Sequence, residues 1–478
     1  MRFPDRKNIL VAFSVVFLVK FLTVAYLGQL TFCQDPAIKG SALASIAGDS
    51  FSYIGAMENY VTKGVYFFVN SKGEQVFAGR LPHYSIPYYL FRQILSPEGA
   101  LNLFVILQLA VETVAIILLG LLAYEITERK WAYYGSLLLS SVSLYITIYS
   151  FGTITDGMAA NFMVIAAYYY YHYVTRGRSK RDLLLFSVFL AIATCLRPYL
   201  CLVYVFAGIA EVWRNRWVIA PTVKSGLILA LPLVLLLAPW VVRNYNLLHR
   251  VILFQQDPYA GYHYDEDELA IRKVLTVLGE DGNSFWDKST AASYFHPRHA
   301  KNSKYSYPSY ISTDEATFQN IENLRILNLS GSRAASAVVG MADSFLNFYK
   351  AQFPLRFYVW NPVIRVKKFL LNSGSYYLPV NKSFSCYRSW QVFLKLSQSL
   401  LYYVYLFLGF LGLVFMVRQK RANFIFLLPT LFLIVFFPLL LGAIEWRFFV
   451  PFYLFHQLGL LFIIAALVHK FRPSAKTA

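Results

Sequence analysis

Charge is what this chain has least of. Only 14% of its 478 residues are charged, against roughly 25% in soluble proteins. Cysteine is scarce too. The four present build no disulfide framework, and Cys195 and Cys201 fall in an apolar stretch where they read as small buried residues. There is no Gly-rich nucleotide loop, so a nucleotide-linked donor has no visible cradle. No internal repeat is visible. These absences set aside a soluble enzyme, a disulfide-stapled domain and a repeat array.

What is there is apolar. The chain is 57% hydrophobic and 18% aromatic. Runs of about 20 apolar residues recur, each long enough to cross a hydrocarbon core of about 30 Å. The pattern predicts an all-α polytopic membrane protein with about ten transmembrane helices. They are placed near 9–28, 101–124, 131–150, 154–174, 183–196, 199–213, 223–241, 396–417, 423–442 and 448–468. The run from Ile9 to Leu27 is too long for a signal-peptide core and lacks a small-residue cleavage pattern, so it reads as a retained span.

Basic residues set the orientation. With the N-terminus in the cytoplasm, the inner segments carry Arg2/Arg6/Lys7, Arg129/Lys130, Arg176/Arg178/Lys180/Arg181, Arg214/Arg216/Lys224, Arg418/Lys420/Arg421 and Lys470/Arg472/Lys476. The short outer turns carry little positive charge apart from Arg197 and Arg447. The net charge of +19 is therefore largely a topogenic signal and does not point to nucleic acid. Two long regions, 29–100 and 244–395, are extracytoplasmic on this reading and contain short helices. Ser332–Tyr349 and Pro362–Leu371 read as amphipathic or interfacial. The organisation is an N-terminal membrane module, 1–243, an external region, 244–395, and C-terminal membrane helices, 396–478.

The reactive residues gather at the outer ends of these spans. Asp49, in Gly48-Asp49-Ser50-Phe51-Ser52-Tyr53, follows the first span and is the leading catalytic candidate. Asp156, in Thr155-Asp156-Gly157, opens the fourth span; its alternative reading is a helix N-cap. Arg197 sits at a proline break in Leu196-Arg197-Pro198. Arg243 ends the seventh span, and Glu445 and Arg447 precede the tenth. Both arginines have a snorkelling alternative. Arg80 and His83 lie in the first loop, in Gly79-Arg80-Leu81-Pro82-His83-Tyr84, and Lys350 and Arg356 in the second. Two carboxylates and several arginines on one face suit an anionic, phosphorylated substrate, because guanidinium forks match phosphate oxygens. Glu112, near the middle of the second span, is either functional by its depth or a structural hydrogen-bonded acid. The pair His296 and His299 is split by a proline and has no cysteine partner, so it makes no metal site. The acidic run 265–268 reads as a solvated face, with a cation site as its alternative.

Taken in order, these motifs resemble the GT-C superfamily of membrane glycosyltransferases, most closely the group of bacterial aminoarabinose transferases and protein O-mannosyltransferases. Asp49 followed by Tyr53 and Ala56 is similar to that family's acid–aromatic–small-residue helix. Gly79–Tyr84, Thr155-Asp156-Gly157, Leu196-Arg197-Pro198, Ala238–Asn244 and Glu445–Pro451 are each similar to family signatures. Two details depart from it: Asp49 stands alone where many relatives pair two acids, and Leu81-Pro82 replaces a double proline. The resemblance implies an inverting enzyme that moves a sugar from a polyprenyl-phosphate carrier to a lipid, protein or glycan acceptor on the outer face of the plasma membrane. It implies Asp49 and Asp156 as catalytic acids, with Tyr53, Arg80, His83, Arg197, Arg243, Glu445, Arg447, Lys350 and Arg356 around the substrate. No covalent enzyme intermediate is required; metal dependence stays open, with no residue group that supports a divalent metal. The rival class is a transporter or flippase of a lipid-linked glycan. Such proteins place polar groups at the bilayer midplane on broken, repeated helices, and only Glu112 speaks for one.

The orientation has a direct check. An engineered cysteine near Ser289 is expected to react with a membrane-impermeant thiol reagent added from outside, and one near Ser179 to be spared. The opposite pattern dissolves the proposed outer cluster.

Overall fold

The computed structural model describes residues 4–34, 39–46, 49–70, 73–256, 265–279, 335–374, 389–419 and 426–471. Gly48, Tyr264, His296, His299, Lys470 and the Lys301–Lys304 run lie outside the described residues or side chains. Ser289, Arg421, Arg472 and Lys476 also lie outside them.

The protein is an all-α polytopic membrane protein. The helices are α1 (Arg6–Gln34), α2 (Ala56–Lys63), α3 (Ile86–Arg92), α4 (Pro97–Thr127), α5 (Lys130–Val142), α6 (Thr147–Phe151), α7 (Thr155–Thr175), α8 (Lys180–Leu196), α9 (Cys201–Arg214) and α10 (Ile219–Leu248). They continue with α11 (Glu266–Val277), α12 (Ala335–Gln352), α13 (Asn361–Leu371), α14 (Ser389–Val404), α15 (Phe410–Arg418), α16 (Leu428–Val435) and α17 (Val450–Phe471). Five stretches among the described residues are long and apolar enough to cross a membrane: Arg6–Gln29, Pro97–Thr127, Ile219–Leu248, Ser389–Arg418 and Trp446–Val468. A helix lies at each of the ten sequence-read spans. The stretch 131–150 differs from its expected form, because it is broken between α5 and α6.

Local sequence explains the ends. Ser96 caps α4 by accepting from the Gly99 N–H at 3.2 Å, with Pro97 in the first turn. Asp265 and Glu268 form a capping box on α11, so part of the acidic run serves a helix start. The apolar side chains Leu10, Val15 and Leu22 of α1, and Leu227, Leu231 and Val234 of α10, point outward. An outward apolar face on a long helix is the pattern of a lipid solvent.

Two compact units follow from the chain's internal contacts. One comprises Met1–Tyr262, Ser373–Leu431 and Arg447–Ala478; the other comprises His263–Asn372 and Phe432–Trp446. In the first, α17 packs on α15 and on the turn Tyr405–Gly409 through glycines. A Cβ on Gly412 would lie 1.9 Å from the Gly459 carbonyl oxygen, and one on Gly459 2.0 Å from that of Gly409. Small residues let the backbones approach this closely, as membrane helix pairs require. The first loop is held by side chains. Arg92 forks onto Glu58 at 2.9 and 3.0 Å, and Tyr88 adds a 2.8 Å bond, tying α2 to α3. The Arg92 hydrogen bonds outweigh partial desolvation and hold the Glu58 carboxyl below its ordinary pKa.

In the second unit, α11 and α12 close a small core of Ile271, Val274, Leu275, Val338, Phe345 and Tyr349.

Against the break between α5 and α7, in the first unit, lies the most deeply buried charge pair among the described residues, formed by α1 and α4. Lys20 Nζ lies 3.1 Å from Glu112, 2.8 Å from the Ser143 carbonyl and 2.9 Å from Thr147 Oγ1. Thr147 in turn donates to Glu112 at 2.7 Å. Both charged side chains are 1% exposed. The helix end at Ser143 leaves an orphan carbonyl that lipid cannot satisfy, and Lys20 satisfies it. Glu112 is thus the structural acid of the two sequence readings. Lys20→Met is expected to cost ~3–5 kcal/mol, because Glu112 is left buried without its countercharge. Lys20→Met with Glu112→Leu should recover most of that loss. Thermal midpoints of the purified protein in detergent check this, and simple additivity of the two changes would refute the coupling.

Candidate active site

Five separate stretches of the first unit bring two aspartates and three arginines together. Asp49 begins the turn that leads into Phe51–Gly55, where its carbonyl accepts from Ser52 Oγ at 2.6 Å. Its carboxylate accepts from Arg447, in the turn that opens α17, and lies 3.3 Å from Arg80. Arg80 is steered from two sides. Its Nε donates to Ser52 Oγ at 3.2 Å, and its guanidinium lies 4.9 Å over the Tyr53 ring. Asp156, fully buried in the first turn of α7, pairs with Arg197, which is 7% exposed at the α8 break. Ile154 occupies the N-cap position of α7, so Asp156 is an ion-pair partner and not the cap.

Two contacts hold the halves in register. Thr155 Oγ1 donates to the Tyr53 hydroxyl at 3.3 Å, linking the α7 turn to the Asp49 turn. Tyr199 donates to the Phe448 carbonyl at 3.4 Å and meets the Phe448 ring edge-on at 6.2 Å. That bond joins the turns of Arg197 and Arg447. The α7 turn is placed by glycine: a Cβ on Gly157 would sit 2.9 Å from the Ile146 carbonyl oxygen. Thr153, at φ +47°, anchors the same turn by donating to the Ser45 carbonyl at 3.1 Å. The strain of that left-handed residue is held by its surroundings.

The cluster carries one more positive than negative charge. Burial alone would raise the Asp49 pKa. The attraction of Arg447, then Arg80, then Arg197 exceeds that effect and holds the carboxyl well below its usual range. Asp156 Oδ1 and Arg197 Nε are buried with no hydrogen-bond partner among the described residues. Such groups cost free energy unless something else satisfies them.

The remaining sequence candidates make other contacts. Arg243 donates to the Phe77 carbonyl at 2.6 Å, the Tyr66 carbonyl at 2.8 Å and Asn244 Oδ1 at 2.7 Å, clamping the first loop to α10. Its side chain also lines an open groove of about 860 Å³ with Leu235, Ala238, Pro239, Val242 and Asn246. His83 donates from Nε2 to the Leu236 carbonyl at 3.0 Å, in the turn preceding Pro239. Its Nδ1 is buried without a partner among the described residues, and burial lowers its pKa. Lys350, Arg356 and Glu445 belong to the second unit. Lys350 lies 5.6 Å over the Tyr358 ring there. Among the described residues no group of three or more His, Cys, Asp and Glu side chains is placed to hold a metal ion.

The sequence reading missed Ser52, Thr155, Tyr199 and Lys20. Lys20 carried a usable signal, a single cation deep inside an apolar run. The three hydroxyls carried none, because their roles depend on which distant turn they meet.

No known family model matches the chain, and no curated protein matches it by sequence. Among solved structures it is similar to ArnT from Cupriavidus metallidurans, crystallised with undecaprenyl phosphate. The identity is 13%, the match covers 97% of this chain and 78% of that one, and the TM-score is 0.34. A likeness this distant carries no argument about chemistry.

The depressed Asp49 pKa has a measurable consequence. A carboxyl with a lowered folded pKa adds stability that is present above its unfolded pKa of ~3.9 and is lost only as pH falls through the folded value. The wild-type thermal midpoint should therefore show no loss from Asp49 between pH 8 and about pH 4. In Arg447→Met, burial is less opposed and the Asp49 pKa rises toward its unfolded value, so less stability is lost on acidification and the midpoint should fall less below about pH 4. Superimposable acid limbs in the two proteins would contradict the pairing.

Proposed function

We propose that this protein is an inverting glycosyltransferase that takes a sugar from a polyprenyl-phosphate carrier on the extracytoplasmic side of the plasma membrane, with both termini in the cytoplasm. The observation that carries the reading is the buried cluster of Asp49, Asp156, Arg80, Arg197 and Arg447, drawn from turns at helix ends. Arginines in excess of acids, in a poorly solvated site, suit a phosphate. The apolar groove beside Arg243 suits a lipid-borne ligand.

The chemistry follows from competition for the guanidiniums. Arg447 and Arg80 hold Asp49 as a weak base. A donor phosphate offers the same arginines a better-matched anion. As they turn to it, Asp49 loses its countercharges while staying buried, and its basicity rises. It then accepts the proton of an acceptor hydroxyl as that oxygen bonds to the anomeric carbon. The bond from the anomeric carbon to the phosphate oxygen breaks on the opposite face, with inversion. The arginines stabilise the charge growing on the departing phosphate monoester. Asp156, locked to Arg197, orients that arginine. Lys350, Arg356 and Glu445 are assigned to substrate contacts on the family resemblance alone. The transporter reading drew on Glu112, which is bound by Lys20 and Thr147.

Purified protein in detergent, given a panel of polyprenyl-phosphate sugars and candidate acceptors, should transfer at least one sugar. Asp49→Asn should slow that transfer by about 10²–10⁴ while donor binding persists. Near-wild-type transfer by the variant would remove Asp49 as the base. Transbilayer movement of the lipid without transfer would favour the transporter.

A further inference from the structure

Helix α13 and the turn before it are built inside out. Two of the three buried residues of α13 are polar, Asn361 and Arg365; the third is Phe369. Asn361 Nδ2 donates to the Val277 carbonyl at 2.7 Å and to the Tyr349 hydroxyl at 2.9 Å. Arg365 donates to the Thr276 carbonyl at 3.1 Å. The residues facing out are apolar: Leu355 is 69% exposed, Trp360 59% and Val363 51%. Leu355, Val359 and Val363 follow at four-residue spacing and form one stripe. A helix in water shows the reverse arrangement. Sidedness of this kind marks a surface whose natural neighbour is not water.

Two further observations say what covers it. Within this unit α13 packs on the turn Phe436–Leu441, with Phe369 stacked on Phe437 at 6.5 Å. That turn leaves Leu440 and Leu441 exposed, so the apolar surface extends beyond one helix. The charge is also one-sided. Arg356, Lys367 and Lys368 flank the stripe, and no acidic residue lies between Asp343 and Glu445. A second copy of this chain meeting the same face would oppose cation to cation. Anionic headgroups complement it instead.

We propose that the face formed by Leu355, Val359 and Val363 lies in the interface of an anionic lipid leaflet, sunk about 5–10 Å, with Lys367 and its basic neighbours at headgroup level. The inference is independent of the enzymatic reading, since it needs no substrate.

The test uses the full-length chain with its four cysteines replaced, reconstituted in phosphatidylcholine vesicles with or without phosphatidylglycerol. Single spin labels are placed at Val359→Cys, Val363→Cys and, as a water-facing control, Asp343→Cys. Collision with oxygen should exceed collision with a soluble nickel chelate at the first two sites, and the order should reverse at the third. Chelate-dominated collision at Val359 and Val363 would mean a water-facing helix and overturn the proposal. Low collision with both probes, with dipolar broadening between chains, would mean a protein contact and overturn it equally. Lys367→Glu with Lys368→Glu should lower the oxygen-to-chelate ratio at Val363→Cys in vesicles containing phosphatidylglycerol and leave it unchanged in phosphatidylcholine alone. The same ratio in both lipids would refute the anionic preference.

Discussion

Charge that cannot be left alone organises the membrane-helical unit. In a medium that solvates ions poorly, a carboxylate or guanidinium persists only with a partner close by. Three such groupings recur: Lys20 with Glu112, Asp156 with Arg197, and Asp49 with Arg80 and Arg447. Each joins segments far apart in the chain, Asp49 and Arg447 most of all. The ion pairs therefore act as long-range register marks. They select one mutual arrangement of helices whose apolar faces alone would tolerate several.

The three groupings leave different atoms unsatisfied, and Glu112 Oε2 is buried without a hydrogen-bond partner among the described residues although Lys20 is saturated. Lys20 meets Ser143, Thr147 and Glu112 at once, so its donors are spent inside the protein. The Asp156–Arg197 pair leaves Asp156 Oδ1 and Arg197 Nε without partners among the described residues. Asp49 is claimed by two arginines but stays 12% exposed. Free energy is lost in those incomplete contacts, and a ligand that supplies anionic oxygens or hydroxyls recovers it. The same arithmetic makes Asp49 a weak base while Arg447 and Arg80 hold it, and on the proposed function a competing anion would raise its basicity. Basicity and ligand binding are thereby coupled through shared guanidiniums.

Much of this was legible in the chain. Long apolar runs mark the helices because lipid leaves the backbone few alternatives. Asp49, Asp156, Arg197 and Arg447 stood out because ionisable groups at span ends are costly and few. Pairings were not legible. Nothing local says that Arg447 meets Asp49 while Arg243, in an equally suggestive motif, turns to the Phe77 and Tyr66 carbonyls. The distinction depends on the path of the first loop, whose strands Phe68–Val69 and Gln75–Val76 are too short to announce themselves. The break at 143–146 was hidden for a related reason. Its residues are as apolar as a helix, and the Ser143 carbonyl and the Leu144 N–H are met by Lys20 and Gln398, far off in sequence.

That break also explains how the charge cluster is placed within a membrane protein. A continuous helix through 131–150 would deliver Asp156 on a rigid rod whose rotation depended on lipid-facing packing. Helix α5 instead stops at Val142, the chain is pinned by Lys20 at Ser143 and by Gln398 at Leu144, and after the short helix α6 the chain enters α7 beyond Thr153. The Ile146 carbonyl then fits against Gly157, one residue beyond Asp156. The Asp156 turn is thus placed by contacts inside the protein, so its geometry is insulated from the surrounding lipid.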